Sequence, residues 1–173
     1  MPTIGDTTRF AARYELDTNS GGGWMFGRFC YWCGGQVIGD FELGTSLRDV
    51  LFQLEDITKG TFSRTNVRLS RMRPVDAFRL LDAALFGNVT LNNQKAAEQE
   101  EWAKHNIIPP VDIFDQWKAF AVDDEIVSRV LFAHDPFNDV RALDLQLGEV
   151  DRVIKATCAA LLEEHERAKQ AGT

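Results

Sequence analysis

The chain has 173 residues, 45% hydrophobic and 26% charged, with a net charge of −7; this suits one globular domain whose core needs neither disulfides nor a metal. No apolar run approaches the roughly 18 residues of a membrane span. The N-terminal MPTIGDTTRFAARYELD lacks the apolar core of a secretory signal, so the cytoplasm is the expected location and Cys30, Cys33 and Cys158 are expected as reduced thiols.

Arg9 to Leu16 (RFAARYEL) predicts a strand with Phe10, Ala12, Tyr14 and Leu16 on one face. Asp17 to Gly23 (DTNSGGG) predicts a turn or loop. Trp24 to Tyr31 predicts a second strand, in which Trp24, Phe26, Arg28 and Cys30 alternate with Met25, Gly27, Phe29 and Tyr31. Gly34-Gly35 is a tight hairpin turn, and Gln36 to Phe41 returns as a third strand. Both faces of this hairpin carry large apolar groups, so its aromatics are expected mainly in the core, with the hairpin central or covered on both sides. Thr45 or Ser46 then caps a helix to about Ile57, striped by Leu47, Val50, Leu51, Leu54 and Ile57.

Thr61 to Arg73 mixes loop and strand signals. Pro74 opens a helix at its first position, Val75, Phe78, Leu81, Ala84 and Leu85 form its apolar face, and Gly87 ends it. Asn88 to Leu91 is a short extended piece. Asn93 to His105 has good helix formers but little apolar periodicity beyond Ala96 and Trp102, which predicts a surface helix or partly mobile insertion within residues 88–110. Trp117 to Val122 and Ile126 to His134 predict a hairpin around Asp123-Asp124-Glu125, and Val140 to Leu147 a last strand with Leu143, Leu145 and Leu147 on its clearer apolar face. From Glu149 to about Ala168, Val150, Val153, Ile154, Thr157, Cys158, Leu161 and Leu162 keep an unbroken helical period. The fold class is α+β: one domain over residues 1–173, mainly antiparallel sheet packed with about three to four helices, including a long C-terminal amphipathic helix.

Charge is unevenly spread. Residues 1–60 carry −3, residues 61–95 carry +4 and residues 96–173 carry −8. An acidic C-terminal half argues against nucleic acid as the main ligand and suits a basic protein partner. The motif Cys30-Tyr31-Trp32-Cys33 lies at a strand end, where positions i and i+3 point to opposite faces. No second CxxC or paired histidine motif completes a zinc site, and no helix N-terminus activates a thiol. The structural reading, two thiols in an aromatic strand, outweighs a redox or metal role. No nucleophile, phosphate-loop, metalloprotease or dinucleotide motif occurs, so no catalytic, metal or cofactor residue is assigned. Asp123, Asp124 and Glu125 read as a solvated turn or a partner contact. Arg64, Arg68, Arg71 and Arg73 read as partners of the acidic remainder. Of the four tryptophans, Trp102 lies in the least periodic helix and is the candidate for an exposed interface anchor.

The stretch Trp24-x-Phe26-Gly27-Arg28-Phe29-Cys30-Tyr31-Trp32, then Gly39-Asp40 and Leu43-Gly44-Thr45-Ser46-Leu47-Arg48-Asp49-Val50-Leu51, resembles a family of predicted immunity proteins of bacterial polymorphic toxin systems. Phe114-Asp115-x-Trp117-Lys118-Ala119 and Gly148-Glu149-x-Asp151-x-Val153-Ile154 are similar in spacing. Cys33 departs from that pattern, where an apolar residue is expected. The resemblance implies a small cytoplasmic α+β protein that is not an enzyme, uses no cofactor, and binds and blocks a cognate toxin domain. If that toxin is a basic nuclease, the acidic surface with Asp123, Asp124 and Glu125 is the expected docking face. The competing expectation is a small-ligand-binding or thiol- or metal-dependent domain that uses the aromatic hairpin 24–41 as a pocket wall.

Overall fold

The computed structural model describes residues 1–59, 63–87 and 90–171. In chain order its strands are β1 (Thr3–Gly5), β2 (Phe10–Leu16), β3 (Phe26–Cys33), β4 (Gln36–Ile38), β5 (Thr45–Ser46), β6 (Trp117–Asp123), β7 (Val127–His134) and β8 (Arg141–Gln146). Its helices are α1 (Leu47–Lys59), α2 (Val67–Ser70), α3 (Pro74–Phe86), α4 (Leu91–Gln99) and α5 (Glu149–Ala171). All strand pairs within the two sheets are antiparallel. The α+β class and the long C-terminal helix therefore stand as expected. The chain divides into two compact units, one of residues 1–59, 109–116 and 149–173, the other of residues 60–108 and 117–148.

The first unit is built on a sheet ordered β1-β2-β3-β4, with β5 also pairing with β3. Gly34 (φ 59°) and Gly35 (φ 81°) make the two-residue turn between β3 and β4. Positive φ at both positions matches the twist of the flanking strands, which is why glycine stands there. The two-residue period then decides which aromatics go inside. Gly27, Phe29, Tyr31 and Cys33 are buried, while Phe26, Arg28 and Trp32 retain exposure on the other face. Phe10, Phe29, Tyr31 and Phe114 pack ring against ring at centroid separations of 5.3–6.0 Å. Such pairs add to stability beyond the area they bury.

Helix α1 forms because its stripe finds a core. Leu47, Val50, Leu51 and Leu54 are fully buried, and each contributes about 1.5–3 kcal/mol by that burial. Ser46 caps it, its Oγ accepting from the Asp49 amide at 3.2 Å. Helix α5 packs against α1 and β2 through Val150, Val153, Ile154, Thr157 and Leu161, all buried. Leu162, at the edge of that stripe, is 44% exposed. An Arg9 Nε–Glu149 Oε1 bond of 2.9 Å ties the entry of β2 to the start of α5.

The second unit carries the sheet β6-β7-β8. Pro74 opens α3 at its first turn, where a missing amide costs nothing. Leu69, Ala77, Phe78, Leu81, Trp102, Phe120, Val122, Leu131 and Ala133 form its core. The stretch Thr61–Arg73, read as loop and strand, contains the one-turn helix α2, which Asn66 caps by accepting from the Leu69 amide. Residues 88 and 89 of the expected extended piece, and 61 and 62, lie outside the described residues. Helix α4 is the surface helix expected from its composition and buries no residue. The chain after it does not stay at the surface: Trp102, His105 and Ile107 are fully buried.

Candidate interaction surface

The sequence makes Trp102 the candidate for an exposed anchor, but its relative exposure is 0%, so it has no surface to offer a partner. Glu101 takes φ 52° just before it and redirects the chain out of α4 into a 3-10 turn, Trp102–His105. The indole Nε1 donates to Glu100 Oε2 at 2.8 Å, and Asn66 Nδ2 donates to the same oxygen at 2.6 Å. These two donors, the indole first, hold the Glu100 carboxyl below its ordinary range. His105 closes the group: its Nδ1 lies 2.8 Å from the Ala121 carbonyl oxygen, and burial pushes its pKa down to about 4.

The acidic turn separates into three different residues. Asp123 is buried, and its main chain pairs with Arg64 and Asn66. Asp124 closes the β6–β7 turn, accepting from the Ile126 amide at 2.7 Å and the Val127 amide at 2.8 Å. Those amides, Val127 first, lower its pKa. Glu125 is exposed, next to an Ile126 that is 79% exposed. The structure therefore does not present the three carboxylates as one charged face.

The cysteines are buried in β3, and burial is the first cause of their raised pKa values, about 11 for Cys30 and about 12 for Cys33. Both are therefore thiols, not thiolates, at neutral pH. Among the described residues, no cluster of three or more His, Cys, Asp or Glu side chains is placed to hold a metal ion.

What the sequence reading placed in the core, and the structure does not, is the start of the aromatic hairpin. Met25 takes φ 55° and is fully buried. Its two neighbours lie outward, Trp24 51% and Phe26 44% exposed. Left-handed backbone costs a non-glycine residue about 1–2 kcal/mol, so the surroundings must impose it. They do so through main-chain bonds: the Phe26 amide to the Ser20 carbonyl at 2.7 Å, the Asp17 amide to the Phe26 carbonyl at 3.0 Å, and the Leu47 amide to the Met25 carbonyl at 3.0 Å. Ser46 Oγ also donates to the Trp24 carbonyl at 3.1 Å. The two rings stack with planes 4° apart and centroids 6.3 Å apart. The Arg48 guanidinium carbon lies 3.8 Å from the Trp24 ring centroid, and its nitrogens reach Asp49 Oδ1 at 3.0 and 3.1 Å.

Beside this stack runs an open groove of about 660 Å³. Phe26 forms one wall, and Asp17, Asp49 and Asp112 bring carboxylates to it. The signal for an outward Phe26 is in the sequence: Arg28 shares its strand face, and arginine seldom faces a core. The groove itself is not legible, because its lining comes from four separated stretches.

The scaffold is α+β, with Cys30 and Cys33 buried and an exposed aromatic pair beside carboxylates. Residues 1–158 match the family described as Immunity protein 42, and the chain belongs to that family. The fold is shared with the crystal structure of CdiI from Burkholderia dolosa at 16% sequence identity and a TM-score of 0.70, covering 92% of this chain and 99% of that one. No curated protein matches the chain.

Proposed function

We propose that this chain is the immunity partner of a bacterial toxin domain, binding it through protein–protein contact and blocking it without chemistry of its own. Membership of the immunity family over most of its length carries this reading. The scaffold is the one found in CdiI of Burkholderia dolosa. The net charge of −7 supports a basic target face, such as that of a nuclease, since opposite potentials speed encounter and fix orientation. The site of action is the cytoplasm, where such a toxin would meet its target. Glu125 and the neighbouring Ile126 form one proposed contact of the acidic surface.

The test is co-expression with a candidate toxin domain, sought first in the gene neighbouring this chain's own. Cells producing the toxin alone should stop growing, cells producing both should grow, and the two purified proteins should elute as one complex whose affinity falls as salt rises. Growth arrest that persists with this chain present, or no complex at low salt, overturns the proposal.

A further inference from the structure

We infer that the groove beside Trp24 and Phe26 is the slot that takes an arginine side chain from a basic segment of the toxin domain; this deepens the proposed function and rests on it. Three observations converge there. The exposed rings are held in place: the loop bearing them is fixed by main-chain bonds on both sides and by a buried Met25 in left-handed conformation. Large aromatic rings kept in water by a rigid backbone give up burial that a partner can restore, and rigid aromatic anchors lose little entropy on binding.

The groove is also acidic. Asp17, Asp49 and Asp112 line it, and none of its lining residues among those described is basic. Arg48 is engaged at its edge with Trp24 and Asp49. Finally, the compact unit that holds it has fifteen acidic side chains against nine basic ones, so that −6 of the net −7 resides there. Arginine matches this chemistry better than lysine. Its flat guanidinium lies on an aromatic face and presents a fork of donors to carboxylates at the same time. The Arg48–Trp24–Asp49 arrangement is an example within the same surface.

Gly44 supplies a clean test. A Cβ built there meets only the Gly27 carbonyl oxygen, at 3.7 Å, so Gly44→Leu fills the groove without disturbing the backbone. A second variant, Asp17→Asn with Asp112→Asn, removes charge from two exposed side chains while keeping their shape. Each is titrated with the purified toxin domain at low and high salt, beside the unaltered protein, with thermal melts as a folding control.

The expected result is affinity weaker by about tenfold or more for each variant, a shallower salt dependence for the double Asn variant, and unchanged melting. Should Gly44→Leu fail to fold, the double Asn variant decides alone. If the unaltered protein binds and protects while both variants bind equally well, the groove assignment is wrong and the immunity function stands. Variants that change self-association but not toxin binding assign the groove to a second copy of this chain and overturn the inference. If the unaltered protein does not bind the toxin at all, the immunity reading fails and the groove assignment fails with it.

Discussion

The two compact units use the same residue types for opposite purposes. In the unit built from both ends of the chain, Trp24 and Phe26 stand in solvent over a groove lined with carboxylates, and acidic side chains outnumber basic ones by six. In the other, eleven acidic side chains face ten basic ones, and Trp102 is sealed in the core with its indole N–H bonded to Glu100. An indole contributes to stability when its polar edge has a partner and its faces are dry, and to recognition when a rigid loop keeps it wet. Burial and the hydrogen bond, not residue type, tell these cases apart.

The comparison can be broken most directly at its two tryptophans. Trp102→Ala should cost about 3–5 kcal/mol of unfolding free energy in urea, by leaving a cavity and stripping Glu100 of a donor; a loss below about 1 kcal/mol would mean the indole is not a core element. Acid should act on the same unit. His105 titrates near 4 when folded and near 6.5 when unfolded. The unfolded chain thus binds the extra proton first, and the stability present above about pH 6.5 drains away as pH falls towards 4. The full loss is about 3 kcal/mol, seen as the part of the acid slope that His105→Asn removes.

Trp24→Ala should reverse the pattern of Trp102→Ala. Stability should change by less than about 1 kcal/mol, while toxin affinity should fall by about 1–3 kcal/mol; equal effects on both would erase the distinction between display and packing. A smaller effect is expected at Glu125→Lys, which leaves stability within about 0.5 kcal/mol and slows association at low salt only. Stopped-flow rates at two ionic strengths check it. Last, a thiol reagent at neutral pH should leave Cys30 and Cys33 unmodified until the protein is denatured, because burial keeps both protonated.

Much of the scaffold was legible because its elements are periodic. The stripe Leu47, Val50, Leu51, Leu54 and the stripe from Val150 to Leu161 each bury as their spacing requires. The Gly34-Gly35 turn followed from residue chemistry alone. What was not legible depends on single backbone steps or on meetings between distant segments. Trp102 sits beyond the last periodic residue of α4, and its burial is set by Glu101 at φ 52°. Trp24 ends a 3-10 turn, and Met25 at φ 55° separates it from β3, so the strand period does not set its side. The groove draws on residues 17, 26–27, 44–46, 49, 53 and 110–112. Charge is regrouped by the fold in the same way: the −8 of residues 96–173 is a property of the linear chain, whereas α5 and residues 109–116 belong with the N-terminal segment.

The unit of residues 1–59, 109–116 and 149–173 is assembled from three stretches of sequence, so its core closes only when α5 docks. Helix α5 covers α1 and β2, so before α5 docks the chain holds a sheet and a helix whose shared apolar face is open. Contacts between residues so far apart form slowly, since loop closure comes before their reward. Docking of α5 is therefore a late step in building this unit, and a copy that lacks α5 exposes apolar surface that the whole chain buries.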